Sequence, residues 1–98
     1  MTTLIVSYPS AEGGSFDREY YLSTHAPLVR SAWSGFGLRS AEVLFPSSES
    51  QPFACVAILR FSDQIGIDTA LSSAKTAEVM GDVKNFTNIT PTIFCSGD

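Results

Sequence analysis

The one histidine of this 98-residue chain, His25, stands where a polar ring is least expected. It lies in Phe16 to Phe36, FDREYYLSTHAPLVRSAWSGF, a stretch that also holds the only tryptophan and two of the three tyrosines. At 100° per residue, Tyr21, Leu22, Leu28, Val29, Ala32, Trp33 and Phe36 fall on one apolar arc, and His25 sits at its middle. Glu19, Ser23, Arg30 and Ser31 take the opposite arc. Imidazole titrates near neutral pH, and burial disfavours its charged form. A neutral ring so placed could act as a general base towards an acidic carbon or phenol proton, or could orient a substrate oxygen. The competing structural reading is a core histidine bonded to a backbone carbonyl. Four other residues could serve the same pocket. Tyr21 lies one turn away, Tyr8 could present a hydroxyl from a first strand, and Trp33 could line the wall. Arg18, seven residues before His25 and near the same azimuth, could bind a carboxylate at the mouth. Packing, or simple solvation for Arg18, is the alternative for each of the four. Asp82 reads as a loop cap or bridge, and Cys55 as a buried, inert thiol.

Other chemistries lack their residues. One histidine without a Cys-x-x-Cys pair cannot build an ordinary zinc shell, so neither a metal nor another cofactor is expected. There is no GxGxxG or P-loop for a nucleotide, and no spacing that spells a Ser-His-Asp arrangement.

The elements that must hold His25 follow from local pattern. Asp17 suits a helix N-cap, with Phe16 and Tyr21 as a hydrophobic staple around it. Gly35 suits the left-handed exit. Pro27 removes the bond to the Ser23 carbonyl, which predicts a kink or two short helices with His25 just before the break. Strands are predicted over Thr2 to Pro9, Gly37 to Phe45 and Phe53 to Phe61, with Gly13-Gly14 and the segment Pro46 to Pro52 as loops. Ser62 or Asp63 can cap a second helical region carrying Ile67, Ala70, Leu71 and Ala74. A short helix over Thr76 to Phe86 and a last strand over Asn88 to Cys95, interrupted by Pro91, complete the chain. The order strand, helix, strand, strand, helix, strand predicts an α+β, ferredoxin-like β-α-β-β-α-β fold. Its antiparallel sheet carries the helices on one face and has the first and third strands at the centre. Cys55 and Cys95 then lie on strands separated by a third, about 9–10 Å apart, too far for a disulfide.

The length predicts a single domain, residues 1–98. Charged residues make up only 16% against about 25% in an ordinary soluble domain, which hints at surface buried in an oligomer. The net charge of −4, with Arg18, Arg30, Arg39, Arg60, Lys75 and Lys84 scattered, argues against nucleic acid or an anionic membrane as partner. The longest apolar run, Ala54 to Leu59, is too short to span a bilayer, and no basic-then-apolar leader opens the chain, so a cytoplasmic location is expected. The third strand is apolar on both faces: Ala54, Val56 and Ile58 on one, Cys55, Ala57 and Leu59 on the other. A second copy of the sheet would cover the exposed face, giving a two-fold homodimer.

The run Tyr8-Pro9, Phe16-Asp17-x-x-Tyr20-Tyr21-x-x-x-His25-x-Pro27-Leu28 resembles the EthD-like family of the dimeric α+β barrel superfamily, whose members share the ferredoxin-like fold. Gly81-Asp82-Val83-x-Asn85-Phe86-Thr87 is similar to that family's late Asp-x-x-x-Phe pattern. The resemblance implies a homodimer with a pocket between each sheet and its own helices, taking a small hydrophobic or aromatic ligand. It implies a cofactor-independent oxygenase, isomerase or cyclase of a hydrophobic oxygenated compound, within a degradation or tailoring pathway. The family name marks an association with ethyl tert-butyl ether degradation and a loose oxidoreductase label. The alternative is a non-catalytic, ligand-binding accessory dimer of a catabolic pathway. An enclosed pocket at His25 with room for a ligand would separate the two. Tyr21, Leu28 and Trp33 filling that space would favour the accessory module.

Overall fold

A computed structural model describes residues 2–48 and 50–97. The strands are β1 (Thr2–Pro9), β2 (Leu38–Leu44), β3 (Phe53–Phe61) and β4 (Thr92–Ser96), in the order β2-β3-β1-β4. Every pairing is antiparallel. Helices α1 (Arg18–Tyr20) and α2 (Ala26–Trp33) follow β1, and α3 (Gln64–Ser72) and α4 (Ala74–Gly81) follow β3. The fold is the expected ferredoxin-like α+β sheet, with β1 and β3 central. Both cysteines are free; Cys55 stands opposite Tyr8 and Cys95 opposite Leu4, with β1 between their strands.

Alternation sorts each strand into two faces. Leu4, Leu59 and Phe61 face the helices and pack with Trp33, Ile67 and Val79. A second cluster, Tyr8, Tyr21, Cys55, Phe86 and Ile89, closes the other end. On the outer face Ile5, Ile58 and Phe94 lie side by side, with Phe94 61% exposed.

Pro27 does not split the helix. Its segment runs unbroken through a π-helical turn, Tyr21–His25, in which the Ala26 N–H reaches the Tyr21 carbonyl five residues back. The proline, lacking an N–H, occupies the first turn of α2 directly after the π turn, and the helical segment continues past the one bond it cannot donate. The expected kink is thus a widened turn, and such turns are frequent at functional sites. The turn also inserts a residue into the 3.6 rhythm. Tyr21, His25, Val29, Ala32 and Trp33 are buried as the arc predicts, whereas Leu22 is 53% exposed.

The helix exit differs as well. Gly35 lies inside a 3₁₀ turn, Ser34–Phe36, and Gly37 takes the left-handed conformation at φ 91°. Its carbonyl accepts from the Ser62 backbone N–H at 2.9 Å, tying the exit to the end of β3. The second helical region is capped by Asp63, which accepts from the Gly66 N–H at 2.9 Å. It stops at Ser72, leaving Ala74 exposed at the head of α4 and Leu71 half out in solvent. The fourth strand is not interrupted by Pro91 but starts after it, at Thr92 rather than Asn88, and lies at the sheet edge.

Candidate active site

Two anchors fix the start of the histidine helix. Asp17 Oδ1 accepts from the Tyr20 N–H at 3.1 Å, and the Phe16 and Tyr21 rings lie 5.4 Å apart, completing cap and staple. The segment after α4 is stitched to the same place. The Asp17 N–H donates to the Phe86 carbonyl at 2.7 Å, the Ser15 N–H donates to Asn88 Oδ1 at 2.9 Å, and the Thr87 hydroxyl donates to the Ser15 carbonyl. These bonds bring Asp82, 57 positions later in the chain, against His25.

His25 Nδ1 and Asp82 Oδ2 are 3.0 Å apart. An ionised carboxylate only accepts, so Nδ1 carries the proton and Nε2 keeps its lone pair. Oδ1 of Asp82 accepts from the Tyr20 hydroxyl at 2.7 Å and from Asn85 Nδ2 at 2.9 Å. The His25 ring, 3% exposed, sits 4.6 Å from Phe86 and 5.2 Å from Tyr21 between ring centroids. Burial lowers the His25 pKa below its ordinary 6.5, although Asp82 pulls the other way. Burial alone would raise Asp82, but the bonds from Tyr20, Asn85 and His25 together hold it below the usual carboxylate range. The pair at neutral pH is therefore a neutral imidazole beside a carboxylate.

A cavity of about 220 Å³ lies between sheet and helices, at the junction of the two core clusters. His25, Tyr21, Tyr8 and Trp33 all line it, with Ala57 and Val43 on the sheet side. Nε2 of His25 has no hydrogen-bond partner among the described residues, and no buried side-chain nitrogen or oxygen there is left unpaired, so Nε2 opens onto free space. The Tyr8 hydroxyl is in the same position, and burial raises its pKa far above the ordinary tyrosine value, which keeps it a donor. Burial does the same to Tyr21, whose hydroxyl lies against the Cys55 thiol; that thiol is fully buried and pushed up to about 12. Trp33 donates its indole N–H to Thr76 Oγ1 at 2.9 Å, and Thr76 donates on to the Ala70 carbonyl.

Arg18 is the exception. It does not line this cavity; it borders a separate, shallower cleft with Phe16, Pro46 and Ala54, and its guanidinium lies 5.1 Å from the Phe45 ring centre. The azimuth that placed it near His25 assumed an unbroken 3.6-residue period, and the π turn between the two breaks it. The histidine's partner, Asp82, was legible only through the late Asp-x-x-x-Phe pattern, whose two fixed residues both touch His25.

A crystal structure of an EthD-like protein from Ralstonia eutropha JMP134 superposes with a TM-score of 0.81 at 28% identity, over 98% of this chain and 89% of that one. The fold is that of the EthD-like proteins. An EthD family protein from Bacillus halodurans C-125 gives 0.70 at 24% identity, over 96% of each chain. More distant structures share the fold alone. SnoaB, a cofactor-independent oxygenase from Streptomyces nogalater, matches at 0.68 with 12% identity over 95% of this chain and 89% of its own. A dimeric ferredoxin-like protein from Bacteroides fragilis NCTC 9343 matches at 0.62 with 9% identity over 99% and 95%. No protein-family model and no curated protein matches the chain. Among the described residues no helix is long and apolar enough to cross a membrane, and no group of three or more metal-ligating side chains comes together.

Proposed function

We propose that this chain is a small-molecule enzyme in which His25 removes an acidic proton from a hydrophobic, oxygenated substrate. The observation that carries this reading is the 3.0 Å pair of His25 and Asp82 on the wall of an open apolar cavity. Nε2 is the base. Asp82 holds the ring in the Nδ1–H tautomer and stabilises the imidazolium that forms, the role a buried carboxylate plays beside a catalytic histidine. Tyr8, kept protonated by burial, donates to the oxygen on which the substrate's negative charge develops. Tyr21 and Trp33 shape the walls, and no cofactor takes part. The resulting carbanion or phenolate either reacts with oxygen or rearranges. The likeness to SnoaB supports the oxygenase branch, and isomerisation or cyclisation is the other.

Tyr21, Leu28 and Trp33 filling the space beside His25 would favour the accessory alternative, and the open cavity there supports the enzyme reading instead. The working unit is a homodimer whose outer sheet faces meet, a reading supported by the dimeric neighbour and by the exposed Leu44 and Phe94.

Proton exchange tests the chemistry. Wild type and His25→Ala are incubated in D₂O with cyclic ketones and unsaturated lactones, and deuterium uptake is followed by NMR. Wild type accelerates exchange, and His25→Ala loses about 10²–10⁴-fold of that rate. Equal rates, or no acceleration of any compound by wild type, would sink the proposal.

A further inference from the structure

We infer that the substrate of this site is an uncharged molecule of one ring with short substituents, carrying a single polar end. The inference rests on the base reading above and narrows it. Three observations carry it. The first is charge: among the described residues the cavity wall contains no ionisable cation or carboxylate apart from His25, and Arg18 borders a different cleft. A carboxylate or phosphate entering it would be desolvated without a partner, at heavy cost.

The second is polarity. Trp33 and Thr76 spend their donors on each other and on the Ala70 carbonyl. Among the described residues that leaves His25 Nε2 and the hydroxyls of Tyr8 and Tyr21, whose rings lie 6.2 Å apart, as the polar groups free to meet a ligand, enough for one oxygenated end. Exposed Leu71 and Met80 also line the cavity and mark where it opens to solvent, so the far end is apolar too.

The third is size. An apolar cavity of about 150 Å³ accepts benzene. The present one, at about 220 Å³, is roughly half as large again. At the same fill it holds about nine heavy atoms, a substituted single ring, and a fused three-ring system exceeds it.

Trp33 is the only tryptophan and stands on the cavity wall, so its single indole N–H resonance reports occupancy without any turnover. The protein is titrated with 4-ethylphenol, with 4-hydroxybenzoate and with anthrone. The indole peak should move saturably with 4-ethylphenol, and about 10²-fold more 4-hydroxybenzoate should be needed for the same shift. Anthrone should leave it in place. Ala57→Leu, which fills the sheet side, should abolish the response. Met80→Ala, at the exposed mouth where folding is not at stake, should admit 2-naphthol, which wild type binds poorly. Tight binding of the carboxylate or of anthrone by wild type, or no shift with 4-ethylphenol, overturns the inference. If 4-ethylphenol binds as expected while His25→Ala leaves proton exchange unchanged, the base reading fails and the ligand class stands.

Discussion

At the scale of single residues the site is a contest between burial and one carboxylate. Burial lowers His25 and Asp82 raises it, with burial ahead. Removing the carboxylate therefore moves the histidine further down. Asp82→Asn should shift the midpoint of the pH–rate profile to lower pH and reduce the plateau about 10²-fold or more, because the imidazolium loses its counter-charge. A midpoint that rises would contradict this. The same shift has a consequence for stability. As pH falls through about 6.5, the unfolded chain binds the proton before the folded one does, so stability declines from there down to the folded pKa. Asp82, held low, contributes in full above the ordinary carboxylate range, and that contribution is lost only as pH falls through it towards the folded pKa. His25→Gln should flatten melting temperature against pH in the upper window alone. Asp82→Ala should also cost about 1–3 kcal/mol in denaturant unfolding, for it strands the buried Nδ1–H.

At the scale of elements the two glycines after α2 make opposite predictions. Gly37 is left-handed, and an added Cβ would stand 3.3 Å from Ser62 Oγ, so Gly37→Ala should destabilise by about 1–2 kcal/mol. Gly35 has a negative φ and open space around it, and Gly35→Ala should be neutral or stabilising by up to about 1 kcal/mol. Thermal melts of the two variants decide the matter. Sequence reading favoured Gly35 because the 3₁₀ extension of the helix depends on the docking of Phe36 and Ser62, which no local pattern encodes. The π turn was hidden for a related reason. Pro27 announces a disturbance, but whether the chain kinks or widens is settled by packing on both sides of the turn. Leu22 and Arg18 were misplaced by that one extra residue.

At the scale of the whole molecule the sheet order, the central pair of strands and the two-sided apolar character of β3 were legible, because period-two alternation and element order are local signals summed along the chain. The cavity was not, since its volume depends on how far apart the helices and the sheet settle. Nor was the junction of Asp82 with His25, which needs the backbone bonds between the segments around Ser15 and Thr87. The proposed dimer belongs here. Ile58 is a central outward residue, flanked by Ile5 and by Glu42, which pairs with Arg60 at 3.0 Å. In light scattering the wild type should run as a dimer at micromolar concentration and Ile58→Lys as a monomer, with the fold retained. A monomeric wild type would remove the dimer and leave the site to a single subunit.

Because His25 is the only histidine, one titration addresses the catalytic reading directly. Following the ring nitrogens of untagged protein by ¹⁵N NMR from pH 4 to 8 should give a pKa below 6.5, with Nδ1 protonated and Nε2 bare at neutral pH. A pKa at or above 6.5, or a proton on Nε2 in the neutral ring, would show that the imidazole is not the poised base described above.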